Sequence, residues 1–134
     1  MIVQAGTIPS LSAAISVNNL TIETGASIEA SSGDVSVAGN VVNNGAITGV
    51  NQVVLNSATA AVSGTGTMTN LTVGASGVVT VTGSQSITSQ LDVVSGGTLN
   101  ANGNITLVSN ALGTARVDEM DAGAIVGDVN VERY

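Results

Sequence analysis

At 134 residues and 13.0 kDa the chain averages about 97 Da per residue, so small side chains dominate, with 17 Gly among them. It has no Cys, His, Lys, Trp or Phe, a single Tyr and a single Pro, and only 8% charged residues against about 25% in typical domains. These absences exclude a disulfide framework, a Cys- or His-based metal site, a triad with a His base and a P-loop lysine, and a net charge of −7 argues against a nucleic-acid partner.

The missing aromatics also constrain the core. Protein interiors pack as densely as organic crystals. Here Val, Ile, Leu and Ala must fill that space alone, which suits the thin, regular core of a repeat architecture. A hydrophobic share of 43% and a mean hydropathy of +0.46 set the chain apart from a solvated coil. Gly, Asn, Ser or Thr interrupts every apolar stretch before it reaches the ~18 residues of a membrane span. The opening MIVQAGTIPS has neither a basic n-region nor a long apolar h-region, so it does not read as an intact signal peptide.

In chain order, residues 1–14, with Ile2, Val3 and Pro9, are expected to supply an N-terminal cap. From there apolar and polar residues alternate in bursts at 15–17, 20–22, 28–30, 35–37, 53–55, 71–73, 79–81, 91–93, 99–101 and 105–107. This is the period-two pattern of strands. The bursts are shorter than the ordinary strand of about 5–6 residues. Residues that tolerate tight corners separate them, among them Gly25, Gly33, Asn40, Asn44, Gly77, Gly97 and Asn102. No segment sustains a 3.6-residue period, so helix is expected to be minor or absent.

The bursts repeat. LTVGASGVVTVTG at 71–83 returns twenty positions later as LDVVSGGTLNANG at 91–103, and NLTI at 19–22 matches NLTV at 70–73. Following that register gives one lane near 15, 35, 53, 68, 87 and 105, a second at 20, 41, 71 and 91, and a third at 28, 47, 62, 79 and 99. The coil 53–68 comes out short in this scheme and is expected to be distorted. About twenty residues per turn in three strands is the arithmetic of a solenoid. The predicted fold is therefore all-β: a right-handed parallel β-solenoid (β-helix) over 1–110, with three short strands per coil of about 15–21 residues and roughly five to six coils. A β-sandwich is the alternative, disfavoured by the brevity of the strands and by the repeat.

Residues 111–134 change texture. They hold five of the nine carboxylates, both Arg and the only Tyr, and are expected either to continue the solenoid or to lead to a following domain. The chain closes on the strand-like 129–131 with no polar capping element, which points to a fragment of a longer protein or to end-to-end assembly.

The run GNITLVSNALGTARV at 103–117, closing with GDVNVERY at 127–134, resembles a segment of large secreted surface proteins of Bacteroidetes. There it follows coils of the type seen here as VSGTGTMTNLTV at 62–73. The likeness spans residues 53–134, and the coils themselves are similar to filamentous-haemagglutinin and autotransporter β-helices. The resemblance implies an exported, extracellular or cell-surface repeat protein with an adhesive or structural role, and it brings no catalytic residues.

Candidate sites are few. Asp118, Glu119, Asp121 and Asp128 are weak calcium candidates, because clustered carboxylates suit a hard cation, but their spacing matches neither an EF-hand nor a calcium-binding nonapeptide. A solvated acidic loop is the plainer reading. Glu29 and Asp92 fall in different lanes and offer no convergent pair for glycoside chemistry. The loop at 63–67 lacks the third Gly of a dinucleotide site and the Lys of a P-loop, and reads as a corner. The sequons at Asn19, Asn70 and Asn104 read as strand texture.

The outward row Ser16, Ser36, Val54, Thr69, Thr88 and Thr106 is the candidate surface-contact row, in which stacked hydroxyls would organise water. The β-propensity of Thr is its competing explanation. Taken together, the sequence predicts no enzyme, no cofactor and no catalytic residue. It predicts a stiff stalk or fibre segment whose partners are itself, neighbouring domains or surface glycans. The alternatives are a filament subunit stacking end to end and an ice-binding solenoid.

Overall fold

The computed structural model describes residues 1–134 and contains no helix. The chain begins with β1 (Ile2–Val3), β2 (Ile15–Val17), β3 (Leu20–Ile22) and β4 (Ser27–Glu29). The next strands are β5 (Val35–Val37), β6 (Val41–Asn43), β7 (Ala46–Thr48), β8 (Val53–Leu55) and β9 (Ala60–Ser63). They are followed by β10 (Thr67–Val73), β11 (Val78–Val81), β12 (Gln85–Val93), β13 (Thr98–Asn100) and β14 (Ile105–Leu107). A hairpin of β15 (Ser109–Asn110) and β16 (Gly113–Thr114) precedes β17 (Arg116–Val117), β18 (Ala124–Val126) and β19 (Val129–Val131).

Apart from that hairpin every pairing is parallel, and the strands stack into a β-solenoid of about six turns. Three faces result. The first is β1-β3-β6-β9-β11-β13-β18. The second begins at the bridge of Ser10 to Glu29 and continues through β4, β7, the starts of β10 and β12, β14 and β19. The third is β2, β5, β8, the ends of β10 and β12, and β17. On the third face the register partners Ile15, Val35, Val53, Leu71, Leu91 and Val117 lie 20, 18, 18, 20 and 26 residues apart. The β15–β16 hairpin lies within the last and longest interval.

The repeat of 71–83 in 91–103 is a true one-turn register, with Leu71 opposite Leu91, Val73 opposite Val93 and Val79 opposite Leu99. The lanes are not as the sequence suggested. After residue 55 each expected lane crosses to another face: Val53 pairs with Leu71 and not with Met68, which pairs with Ile47 on the second face. The interval after Val53 is therefore an ordinary 18 residues, and no short coil exists. The matching quartets at 19–22 and 70–73 likewise sit on the first and third faces. A second difference is strand length. β10 and β12 run seven and nine residues, carrying the chain round a corner without a break, with a register shift between Met68 and Asn70.

Buried and outward residues alternate along the strands of every face, buried–outward–buried in β3, β5 and β8 and outward–buried–outward in β4 and β7, because successive side chains of a strand point to opposite sides. The inward columns form a single cluster of 27 buried aliphatic residues, with Ile28, Ile47, Met68, Ile87 and Leu107 stacked on the second face. Of the three buried polar residues, Asn43, Gln85 and Thr72, the first two interrupt the inward columns. Asn43 and Gln85 are almost fully enclosed at the corner between the first and second faces. Asn43 Nδ2 donates to Gln85 Oε1 at 3.0 Å and to the Thr67 carbonyl at 3.2 Å. Gln85 Nε2 donates to the carbonyls of Ser63 at 3.2 Å and Asn43 at 3.3 Å, and Gly45 N–H donates to Asn43 Oδ1 at 3.2 Å.

The two amides meet across the intervening turn because that turn has no side chain in the way. A Cβ on Gly66 would lie 2.4 Å from the Asn43 amide, and Gly64, at φ +90°, would place one 2.3 Å from the Asn43 carbonyl. Asn43→Ala and Gln85→Ala are each expected to lower stability by about 1–3 kcal/mol, since each strands a buried polar partner. In a urea-denaturation double-mutant cycle the two changes should couple by about 0.5–3 kcal/mol; additive costs would show that the amides act separately.

Candidate functional site

Of the expected contact row, Ser16 and Ser36 are register partners on the third face. Their column continues through Val54, Thr72 and Asp92, and Asp118 N–H bonds the Leu91 carbonyl one turn further on. Thr106 lies instead on the second face, between Ser86 and Asn130, and Thr69 and Thr88 follow the inward residues Met68 and Ile87 of that same face. The single row is thus three partial rows, one on the third face and one on either side of the inward column of the second. The reason is the lane crossing: the triplets on all three faces look alike, so nothing local distinguishes them.

No three carboxylates come close enough to hold a metal ion, so Asp118, Glu119, Asp121 and Asp128 do not form a joint site. Asp118 instead accepts a hydrogen bond from Gln90 Nε2, and Gln90 Oε1 accepts one from Arg116 Nη2 at 3.1 Å. Glu29 and Asp92 stand on the second and third faces, as separate lanes required.

The third face carries two outward files. The residues just after the inward column are Ser36, Val54, Thr72, Asp92 and Asp118. The residues just before it are Asp34, Gln52, Asn70, Gln90 and Arg116, each ending in a flat sp² head group: carboxylate, amide, amide, amide and guanidinium. This second file is tied down along its length. Gln52 N–H donates to Asp34 Oδ1 at 3.2 Å, Thr72 Oγ1 donates to Gln52 Oε1, and Asn70 Nδ2 reaches the carbonyls of Val50 and Asn51 at 3.1 and 3.3 Å. Beside it lies a cleft of about 260 Å³ lined by Asp34, Val50, Asn51, Gln52, Asn70, Thr72 and Gln90.

Sequence reading missed this file, although its signal was present: a planar polar residue opens DVSV at 34–37, QVVL at 52–55, NLTV at 70–73 and QLDV at 90–93. Assigning 53 and 71 to different lanes hid the series. The second face carries a different surface, with hydroxyl files of Thr67, Ser86 and Thr106 and of Thr48, Thr69 and Thr88. Thr48 and Thr69 point the same way, each hydroxyl reaching the inward residue of the preceding turn, Ile28 or Ile47, through its carbonyl at 3.4 and 3.5 Å.

Burial raises the Asp92 carboxyl above its ordinary value of 3.8, the neighbouring Asp118 charge raises it further, and a bond from the Val93 backbone opposes both. A raised folded-state value means that the folded chain holds this proton more tightly than the unfolded one. Asp92 therefore opposes folding at neutral pH, and the penalty fades as pH falls through its raised value toward 3.8. Asp92→Asn is expected to melt higher than the parent at pH 7, with the gap closing below about pH 4; thermal melts across that range check it.

Comparison with protein-family models, curated proteins and solved structures gives no match for this chain.

Proposed function

We propose that the chain is a structural module of an exported surface protein: a stiff section of stalk that holds its faces outward for contact. The observation that carries this reading is the unbroken parallel pairing of all three faces around one aliphatic core. Each turn buries its apolar side chains only against its neighbours, so stiffness comes from repetition. At a rise of ~4.8 Å per turn, six turns supply about 29 Å of length, so a long stalk needs further modules in series. The terminal strands of each face, β1 and β18 on the first, have a partner on one side only. Such edges accept the strands of a neighbouring module or a second copy.

Surface display is the testable core of this reading. Antibodies to the chain should label intact producing cells, and external protease should remove the label. Labelling only after permeabilisation would overturn it.

The second-face hydroxyl files favour a second reading, ice binding. Their repeat along the axis is ~4.8 Å and the step between files, two residues along a strand, is about 6.7 Å. That regular grid of hydroxyls and methyls is of the kind that orders water. Freezing-point depression below the melting point at millimolar protein is expected, with Thr69→Lys abolishing it; no hysteresis in the parent protein would reject this reading.

A further inference from the structure

We infer that the third face binds an extended, neutral polysaccharide along the solenoid axis, through the file Asp34, Gln52, Asn70, Gln90 and Arg116 and the cleft beside it. The first argument is hydrogen-bonding capacity. Tying down the file leaves Gln52 Nε2 as a free donor, and Asp34 Oδ2, Asn51 Oδ1 and Asn70 Oδ1 as free acceptors, all on residues that line the same cleft. A mixed array of donors and acceptors matches sugar hydroxyls, each of which both donates and accepts.

The second argument is charge. Asp34, Asp92 and Asp118 face a single cation, Arg116, which is already engaged by Gln90. Uronate, sulfate and phosphate groups would be repelled there, which leaves neutral sugars.

The third argument is spacing and rigidity. The head groups recur every ~4.8 Å, a repeat comparable to that of successive rings in an extended glycan. One sugar can thus meet one turn, and the bonds that fix Asn51, Gln52 and Asn70 remove ordering cost before any ligand arrives. With one Tyr and no Trp or Phe, the face has no stacking platform, so affinity must accumulate over successive turns. This goes beyond the stalk reading and does not depend on it: the cell-labelling and binding experiments fail separately.

The test is titration of the whole chain, followed by calorimetry and by amide NMR shifts. The probes are neutral hexasaccharides of β-1,4-glucan, β-1,3-glucan and chitin type, their disaccharides, a hexauronate and spermine. At least one neutral hexasaccharide should bind, tenfold or more tighter than its disaccharide, with shifts centred on residues 52, 70, 72 and 90. Gln52→Ala combined with Gln90→Ala should weaken binding at least tenfold while the far-ultraviolet spectrum stays unchanged, and Thr69→Val on the second face should leave it unaltered. The inference is overturned if none of the neutral hexasaccharides binds, if the double variant binds as tightly as the parent, or if only the hexauronate or spermine binds.

Discussion

The structure depends on parallel backbone pairing along one axis. Each turn must present strands that hydrogen-bond to the turns above and below, at ~4.8 Å on all three sides at once. An insertion within a strand would break its ladders to the turns above and below, so changes in coil length are confined to corners, where intervals of 18 and 20 residues coexist. The one large addition, the β15–β16 hairpin, pairs antiparallel with itself and closes before β17 resumes pairing with β12. The same constraint limits side-chain size. A column of stacked positions has the same width at every turn, and Val, Ile, Leu and Met fill it where Phe or Trp would push the walls apart.

Corners resolve the polar groups that this geometry buries. The Asn43–Gln85 pair is enclosed yet fully bonded, and no buried side-chain polar atom in the chain lacks a partner. It works because Gly64 and Gly66 leave the intervening turn empty at that place. Two amides and two glycines on three successive turns form one unit. Asn70, Asn51 and Asn102 perform simpler versions of the task, each donating from its side-chain amide to a carbonyl of the preceding turn. Asparagine at the corners is thus a bonding residue as much as a turn residue.

With the inside fixed, the outside is free to differ from face to face. One solenoid carries hydroxyl files on the second face and planar amide and charged groups on the third, each repeated over several turns. Regular spacing makes weak individual contacts add along the axis. Asp92 shows what limits that freedom: burial first, and then the like charge of Asp118 one turn away, raise its proton affinity and oppose folding at neutral pH.

The sequence by itself determined the fold class, the absence of long helices, the twenty-residue register of 71–83 on 91–103 and the inward identity of alternating apolar residues such as Leu20, Ile22, Val35, Val37, Leu71 and Val73. These follow from period-two alternation and corner residues, which are local properties. It could not index the faces. Leu20 and Leu71 stand in nearly identical quartets, yet one belongs to the first face and the other to the third. Only the axial pairing distinguishes them, and that pairing is decided between residues some twenty positions apart. The outward files depend on this indexing, so Ser16 and Thr69 parted company, and Asp34, Gln52, Asn70, Gln90 and Arg116 came together only in the tertiary structure.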